Sequence, residues 1–165
     1  MKKLASILTL FVFAFALSCG GGSETKKEAA VDSSKKAKKS YDLKTKDGMF
    51  MQMKDFNINI PEELAFVEIK RNSGSYVAVF EAIDLEDATA EKLQNYFKNE
   101  VQELTNEGWK ARPIREDDEM MGSIINQVLF YRARPGSSLQ DAIDFSSTFD
   151  KKNKDYKIFI SFSKV

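Results

Sequence analysis

The chain has 165 residues, with 25 basic and 25 acidic side chains, one cysteine and no histidine. The missing imidazole excludes Ser-His-Asp and Cys-His catalysis and the usual zinc ligand sets. The balanced charge argues against a nucleic-acid partner. An enzyme would have to use carboxylates, lysine, tyrosine or serine, so the residues favour a protein that is not an enzyme, and no cofactor is predicted.

The first 18 residues have the pattern of an exported precursor. Lys2 and Lys3 form a basic start, and residues 4–17 form an apolar run. This run is shorter than the roughly 20 residues that a helix needs to span a bilayer. The pattern therefore predicts a signal peptide over residues 1–18 rather than a permanent membrane span.

The residues at the end of this run, Ala16-Leu17-Ser18-Cys19, resemble the lipobox of bacterial lipoprotein precursors. In that family the cysteine thiol receives a diacylglyceryl group before cleavage. Ser18 fits the pattern, whereas Ala16 stands where leucine is most frequent. The resemblance implies cleavage between Ser18 and Cys19 and several acyl chains on Cys19, each buried methylene contributing about 0.8 kcal/mol to membrane anchoring.

The resemblance places the protein in the bacterial cell envelope, held to a membrane through Cys19. Gly20 follows the cysteine where some diderm bacteria use aspartate for retention, which favours the outer membrane, on its periplasmic or surface face, over the inner membrane. The alternative is an ordinary secretory cleavage that leaves a free thiol. An unpaired cysteine in an exported protein is a redox liability, so lipidation is favoured.

The composition changes after the cysteine. Residues 20–48 contain eight lysines against five acids and few apolar side chains. Such a segment cannot bury enough apolar surface to fold, so residues 19–48 are predicted to be a lipidated cysteine and a disordered tether. Residues 49–165 hold most of the aromatic side chains and have the length of a single globular domain.

The first half of this domain has the two-residue period of β-strands. Apolar and asparagine side chains alternate over residues 56–60, which predicts a first strand. Residues 65–70 and 76–80 predict a second and a third strand, and the polar stretch 72–75 between them predicts the turn of a hairpin.

The period then changes to that of a helix, predicted over about residues 89–107. Thr89 is a suitable N-cap, and Gly108 can take the left-handed conformation that ends a helix and lets Trp109 pack back on Leu104. Spacings of three and four residues align the apolar side chains on one face. These residues are Ala90, Leu93, Phe97, Val101 and Leu104.

The remaining residues predict further strands. Residues 109–114 form a possible edge strand that includes Pro113, residues 123–133 suit strand better than helix, and residues 143–162 form a hairpin around a lysine-rich loop. The predicted fold is α+β, a mainly antiparallel sheet covered by one long helix. This order of elements loosely resembles that of PsbP-like domains, which bacterial lipoproteins also use.

Two clusters are candidate sites. Glu116, Asp117, Asp118 and Glu119 offer four carboxylates in a row, and calcium binds several oxygens at close range; the alternative is a solvated acidic run. Arg132 and Arg134 offer guanidinium donors to an anion, or lie on one solvated strand face.

These patterns predict a lipid-anchored protein that acts as a non-enzymatic binding or accessory module with an envelope protein as partner. The first alternative is a carboxylate-dependent hydrolase, which needs two acids held at a set distance across a cleft. The second alternative is a calcium-dependent surface adhesin.

Overall fold

The computed structural model describes residues 40–134 and 136–164. The predicted signal peptide, Cys19 and residues 19–39 of the predicted tether lie outside the described residues. The elements follow in the order α1 (Lys46–Asp55), β1 (Ala65–Asn72), β2 (Ser75–Ala82), α2 (Asp87–Asn106), β3 (Lys110–Met120), β4 (Ser123–Ala133), β5 (Gln140–Asp150) and β6 (Asp155–Lys164).

The six strands form one antiparallel sheet in the order β1-β2-β6-β5-β4-β3. The α+β class is therefore confirmed, as are the strand over residues 123–133 and the two predicted hairpins. Pro113 lies in β3, an edge strand of the sheet, which is where proline is tolerated because it has no N–H to donate to a strand ladder. The last strand, β6, lies between β2 and β5 and joins the first hairpin to the rest of the sheet.

The described fold begins before residue 49, with a helix that was not predicted. The Thr45 side chain accepts a hydrogen bond of 3.1 Å from the Gly48 N–H and caps α1. Gly48 packs tightly here, because a Cβ at this position would lie 2.0 Å from the carbonyl oxygen of Asp42. Met49 and Met53 lie one turn apart on the buried face of α1 and belong to the core. The residues before Met49 are polar and resemble the predicted tether, so the sequence did not predict this helix.

The predicted strand at residues 56–60 is wrong. Phe56 is the C-cap of α1, and the residues that follow it run as a loop. Phe56 and Ile58 are nevertheless buried, and the Phe56 ring lies edge-on to Trp109 at 5.0 Å. Buried and exposed side chains do alternate over these residues. The alternation arises because a loop packs on the core, and not because the segment pairs with a strand.

Strand β1 forms as predicted, but its alternation is interrupted. A β-bulge between Phe66 and Glu68 shifts the register against β2. Phe66 and Ile69 therefore pack against the core, while Val67 is 46% exposed. The even spacing of Ala65, Val67 and Ile69 does not mark one face of the strand.

Helix α2 begins two residues before its predicted start. Its N-cap is Glu86, which makes no side-chain capping bond, and Thr89 lies within the first turn. Thr89 is therefore not the N-cap. The predicted apolar stripe is buried at Ala90, Leu93, Phe97 and Leu104.

The predicted end of α2 is confirmed. Gly108 has φ +88°, and its N–H donates to the Thr105 carbonyl at 3.0 Å. The N–H of Trp109 donates to the Leu104 carbonyl at 3.1 Å, which completes a Schellman motif. Trp109 and Leu104 are both buried in the core cluster.

Both helices contact the same face of the sheet. The Phe97 ring of α2 stacks on Phe145 of β5 at 4.8 Å, and the Phe50 ring of α1 lies 5.8 Å from Phe80 of β2. Phe145 and Phe80 share a face because each pairs with an inward residue of β6, Ile160 and Ile158 being two residues apart. Two helices therefore contact this core, where the sequence predicted one.

Candidate functional site

The predicted calcium loop is part of a strand. Residues 116–119 belong to β3, and two register shifts interrupt the pairing of β3 with β4 around them. Asp117 forms an ion pair with Lys98 at 3.2 Å, and Glu119 forms one with Lys151 at 2.7 Å. Within residues 40–134 and 136–164, no three acidic side chains come together as a metal site would require. The acidic run is thus spread along an edge strand.

The two arginines proposed for an anion site are engaged separately. The Arg132 guanidinium lies 4.2 Å from the centre of the Trp109 ring, a cation–π contact. Arg134 donates to one carboxylate oxygen of Asp141 through Nε at 2.7 Å and Nη2 at 2.5 Å. Arg134 and Asp141, with Tyr41 and Tyr76, line a cleft of about 560 Å³. These arginines do not converge on a shared ligand position.

A larger groove runs along α2, opposite residues 59–61, and is called the α2 groove below. Its volume is about 740 Å³. The α2 residues that line it extend from Ala88 to Glu103, a length of about 22 Å at the helical rise. The lining residues are Asn59, Ile60, Pro61, Ala88, Glu91, Lys92, Leu93, Asn95, Tyr96, Asn99, Glu100 and Glu103.

Glu100 is the unusual residue of this groove. It follows Phe97 by three residues and precedes Leu104 by four, so it lies on the buried stripe of α2 and is only 4% exposed. The backbone N–H of Asn59 hydrogen-bonds to its carboxylate and ties the loop to the helix. Its oxygen Oε1 is buried and has no hydrogen-bond partner among the described residues.

The surroundings of Glu100 disfavour its charged form. Burial raises the pKa of Glu100 to about 7, and the nearby carboxylates of Glu103 and Glu107 add to the rise, whereas the hydrogen bond from Asn59 opposes it. Near neutral pH the Glu100 carboxyl group is therefore present in both its protonated and its ionised form. A cation placed beside this carboxyl group would lower its pKa and favour the ionised form.

Tyr96 lies one turn before Glu100 on the same side of α2. Its ring meets Phe145 edge-on at 6.5 Å, and its hydroxyl is buried with no partner in the described part of the chain. Burial raises the pKa of Tyr96, so the hydroxyl stays neutral. An unmade hydrogen bond at a buried polar atom costs about 1–3 kcal/mol. The groove therefore holds two such atoms, Tyr96 Oη and Glu100 Oε1.

The charge of the α2 groove is negative. Glu91, Glu100 and Glu103 line it, and Lys92 is the one cation among its described lining residues. Lys92 is already engaged in an ion pair with Glu63. Because the three acids all belong to α2, the groove does not bring together acids from distant segments, as the hydrolase alternative requires.

Sequence reasoning missed Glu100, although a signal was present. A glutamate on an otherwise apolar helical stripe must be paired, protonated or functional when the stripe is buried. The spacing of Phe97, Glu100 and Leu104 contains this signal. The four consecutive acids at residues 116–119 are a more conspicuous feature of the sequence.

Comparisons of this chain with protein-family models, curated proteins and solved structures found no match. None of them points to an enzyme. No described helix has the length and hydropathy of a membrane span.

Proposed function

We propose that this chain is a lipid-anchored protein of the bacterial cell envelope that acts as a non-enzymatic binding or accessory module. Anchoring rests on the lipobox-like residues that end at Cys19, and Gly20 favours the outer membrane. The likeness of the element order to PsbP-like domains agrees with this proposal.

The observation that carries the binding role is the α2 groove. Tyr96 and Glu100 line it, and the Tyr96 hydroxyl and Glu100 Oε1 are buried with no hydrogen-bond partner among the described residues. Buried polar atoms in folded proteins are nearly always hydrogen-bonded, and a ligand in the groove would supply the missing partner. We infer that α2 covers the sheet face beneath it, and the stack of Phe97 on Phe145 supports this inference.

The anchor is tested by metabolic labelling with an alkyne analogue of palmitate. We expect the wild-type chain to carry the label and to sediment with membranes, because the Cys19 thiol is the predicted acceptor. Cys19→Ser removes the thiol and should lose both the label and the membrane association. Equal labelling of the two chains, or no labelling of either, would contradict the lipid anchor.

The binding role is tested by placing a benzophenone amino acid at Asn99, an exposed residue of the α2 groove, in intact cells. Benzophenone inserts into C–H bonds of any molecule within reach, so the intact mass of the protein after irradiation reports a bound ligand or partner. Glu116, exposed on β3, is the matched control position. We expect a defined adduct at position 99 alone; no adduct, or the same adducts at both positions, contradicts a binding site in the groove.

A further inference from the structure

Tyr96 and Glu100, which carry the two unpartnered atoms, both line the α2 groove. Tyr96 and Glu100 are four residues apart, so their side chains are neighbours on one side of α2. Glu100 Oε1 is an acceptor when the carboxyl group is ionised, and the Tyr96 oxygen also has acceptor capacity. An ammonium group carries three N–H donors and no acceptor, so its chemistry matches two neighbouring acceptors.

The charge of the groove selects the same chemistry. Three carboxylates line it, from Glu91, Glu100 and Glu103, while the ammonium of Lys92 is neutralised by Glu63. A cation that enters the groove therefore meets a negative potential, whereas an anion is repelled.

The shape of the groove indicates an elongated ligand. Glu91 and Glu100 are nine residues apart, which separates them by about 14 Å along the helix axis. Ile60 and Pro61 form an apolar wall opposite the helix, against which methylene groups can pack. The exposed amide of Asn95 lies between the two acids.

We propose that the α2 groove binds a linear aliphatic amine, one ammonium of which donates hydrogen bonds to Glu100 and Tyr96 while its methylene chain lies along Ile60 and Pro61. This inference rests on the proposed binding role of the groove and names the chemical class of its ligand.

The experiment is calorimetric titration of the full chain, kept in a mild detergent, with spermidine and with 1,5-diaminopentane at pH 8 and 0.15 M salt. We expect saturable binding to the wild-type protein and none of the uncharged 1,5-pentanediol. Glu100→Gln keeps an oxygen that accepts from the Asn59 N–H but loses the charge, so amine affinity should fall at least about tenfold. Glu116→Gln removes an exposed carboxylate outside the groove and should leave the affinity unchanged.

A second variant guards against misfolding. Tyr96→Phe keeps the ring on Phe145 and deletes only the unpartnered hydroxyl, so it should fold and bind the amine several-fold more weakly. The inference is overturned if no amine binds saturably, or if Glu116→Gln weakens binding as much as Glu100→Gln, since that shows attraction to acidic surface in general. An adduct at position 99 without amine binding overturns this inference alone. If there is neither an adduct at position 99 nor amine binding, the proposed binding role of the groove is contradicted as well.

Discussion

The chain carries carboxylates in two contrasting regions, the acidic run of residues 116–119 on β3 and the single acid Glu100 on α2. The run lies exposed at the sheet edge, where Asp117 and Glu119 pair with lysines in water. Glu100 is buried, and burial raises its pKa to about 7. Water screens each charge of the run, while the protein interior leaves Glu100 without full compensation. The difference teaches that the surroundings of a carboxylate, more than the number of neighbouring acids, decide whether it is a candidate site.

The largest expected difference between the two regions lies in packing. Phe97→Ala removes a 4% exposed ring of α2 that stacks on Phe145 of β5. The lost contacts and the cavity should lower the free energy of unfolding by about 3–5 kcal/mol. Ile114→Ala, on β3, removes a side chain that is 48% exposed and should cost less than about 1 kcal/mol. Urea denaturation measures both, and equal losses would show that α2 is not anchored through this stack.

The next effect is a dependence of stability on pH that belongs to Glu100. Its pKa in the folded protein is about 7, against 4.5 as the ordinary value. Between these values the unfolded chain has released the proton that the folded protein still holds, so stability falls as pH rises from 4.5 to 7 and then levels off. The full effect is about 3 kcal/mol.

This dependence is measured by urea unfolding at pH 5 and pH 8. Glu100→Gln cannot titrate, so its loss of stability between these pH values should be smaller than that of the wild type. The remaining charged groups near Glu100, which are Glu103 and Glu107 on α2, are present in both proteins. Identical pH profiles would mean that Glu100 is as well solvated as the acids of the run.

The smallest effects are expected in the acidic run. Glu119→Gln breaks the ion pair with Lys151, but both side chains are largely exposed, so the free energy of unfolding should change by no more than about 0.5 kcal/mol. Added calcium should leave Tm unchanged, because the acids do not converge on one position. A clear rise in Tm with calcium in the wild type, lost in Glu119→Gln, would restore the adhesin alternative.

The local patterns of the chain determined much of the fold. A continuous apolar run marked β2, β-branched and aromatic residues marked β4, and a period of two marked the terminal hairpin. A period of 3.6 marked α2 with its glycine stop, because each of these patterns depends on neighbours within a few residues. The lipobox-like residues at Ala16 to Cys19 predicted a lipid anchor in the cell envelope by the same local reasoning. The sequence did not predict helix α1, because its polar start resembles the lysine-rich segment before it. The capping of α1 by Thr45 is observed only in the three-dimensional structure.

Only the tertiary structure decided which acid matters. In the sequence, Glu100 is one glutamate among several on α2, while residues 116–119 form a conspicuous cluster. Folding packs Phe97 of α2 on Phe145 and brings Asn59 close to Glu100. Glu100 Oε1 and the Tyr96 hydroxyl are thereby removed from water and have no hydrogen-bond partner among the described residues. The helical spacing of Phe97, Glu100 and Leu104 indicates that Glu100 is buried. The extent of its desolvation also depends on residue 59, which is distant in the chain, so the local pattern alone does not determine it.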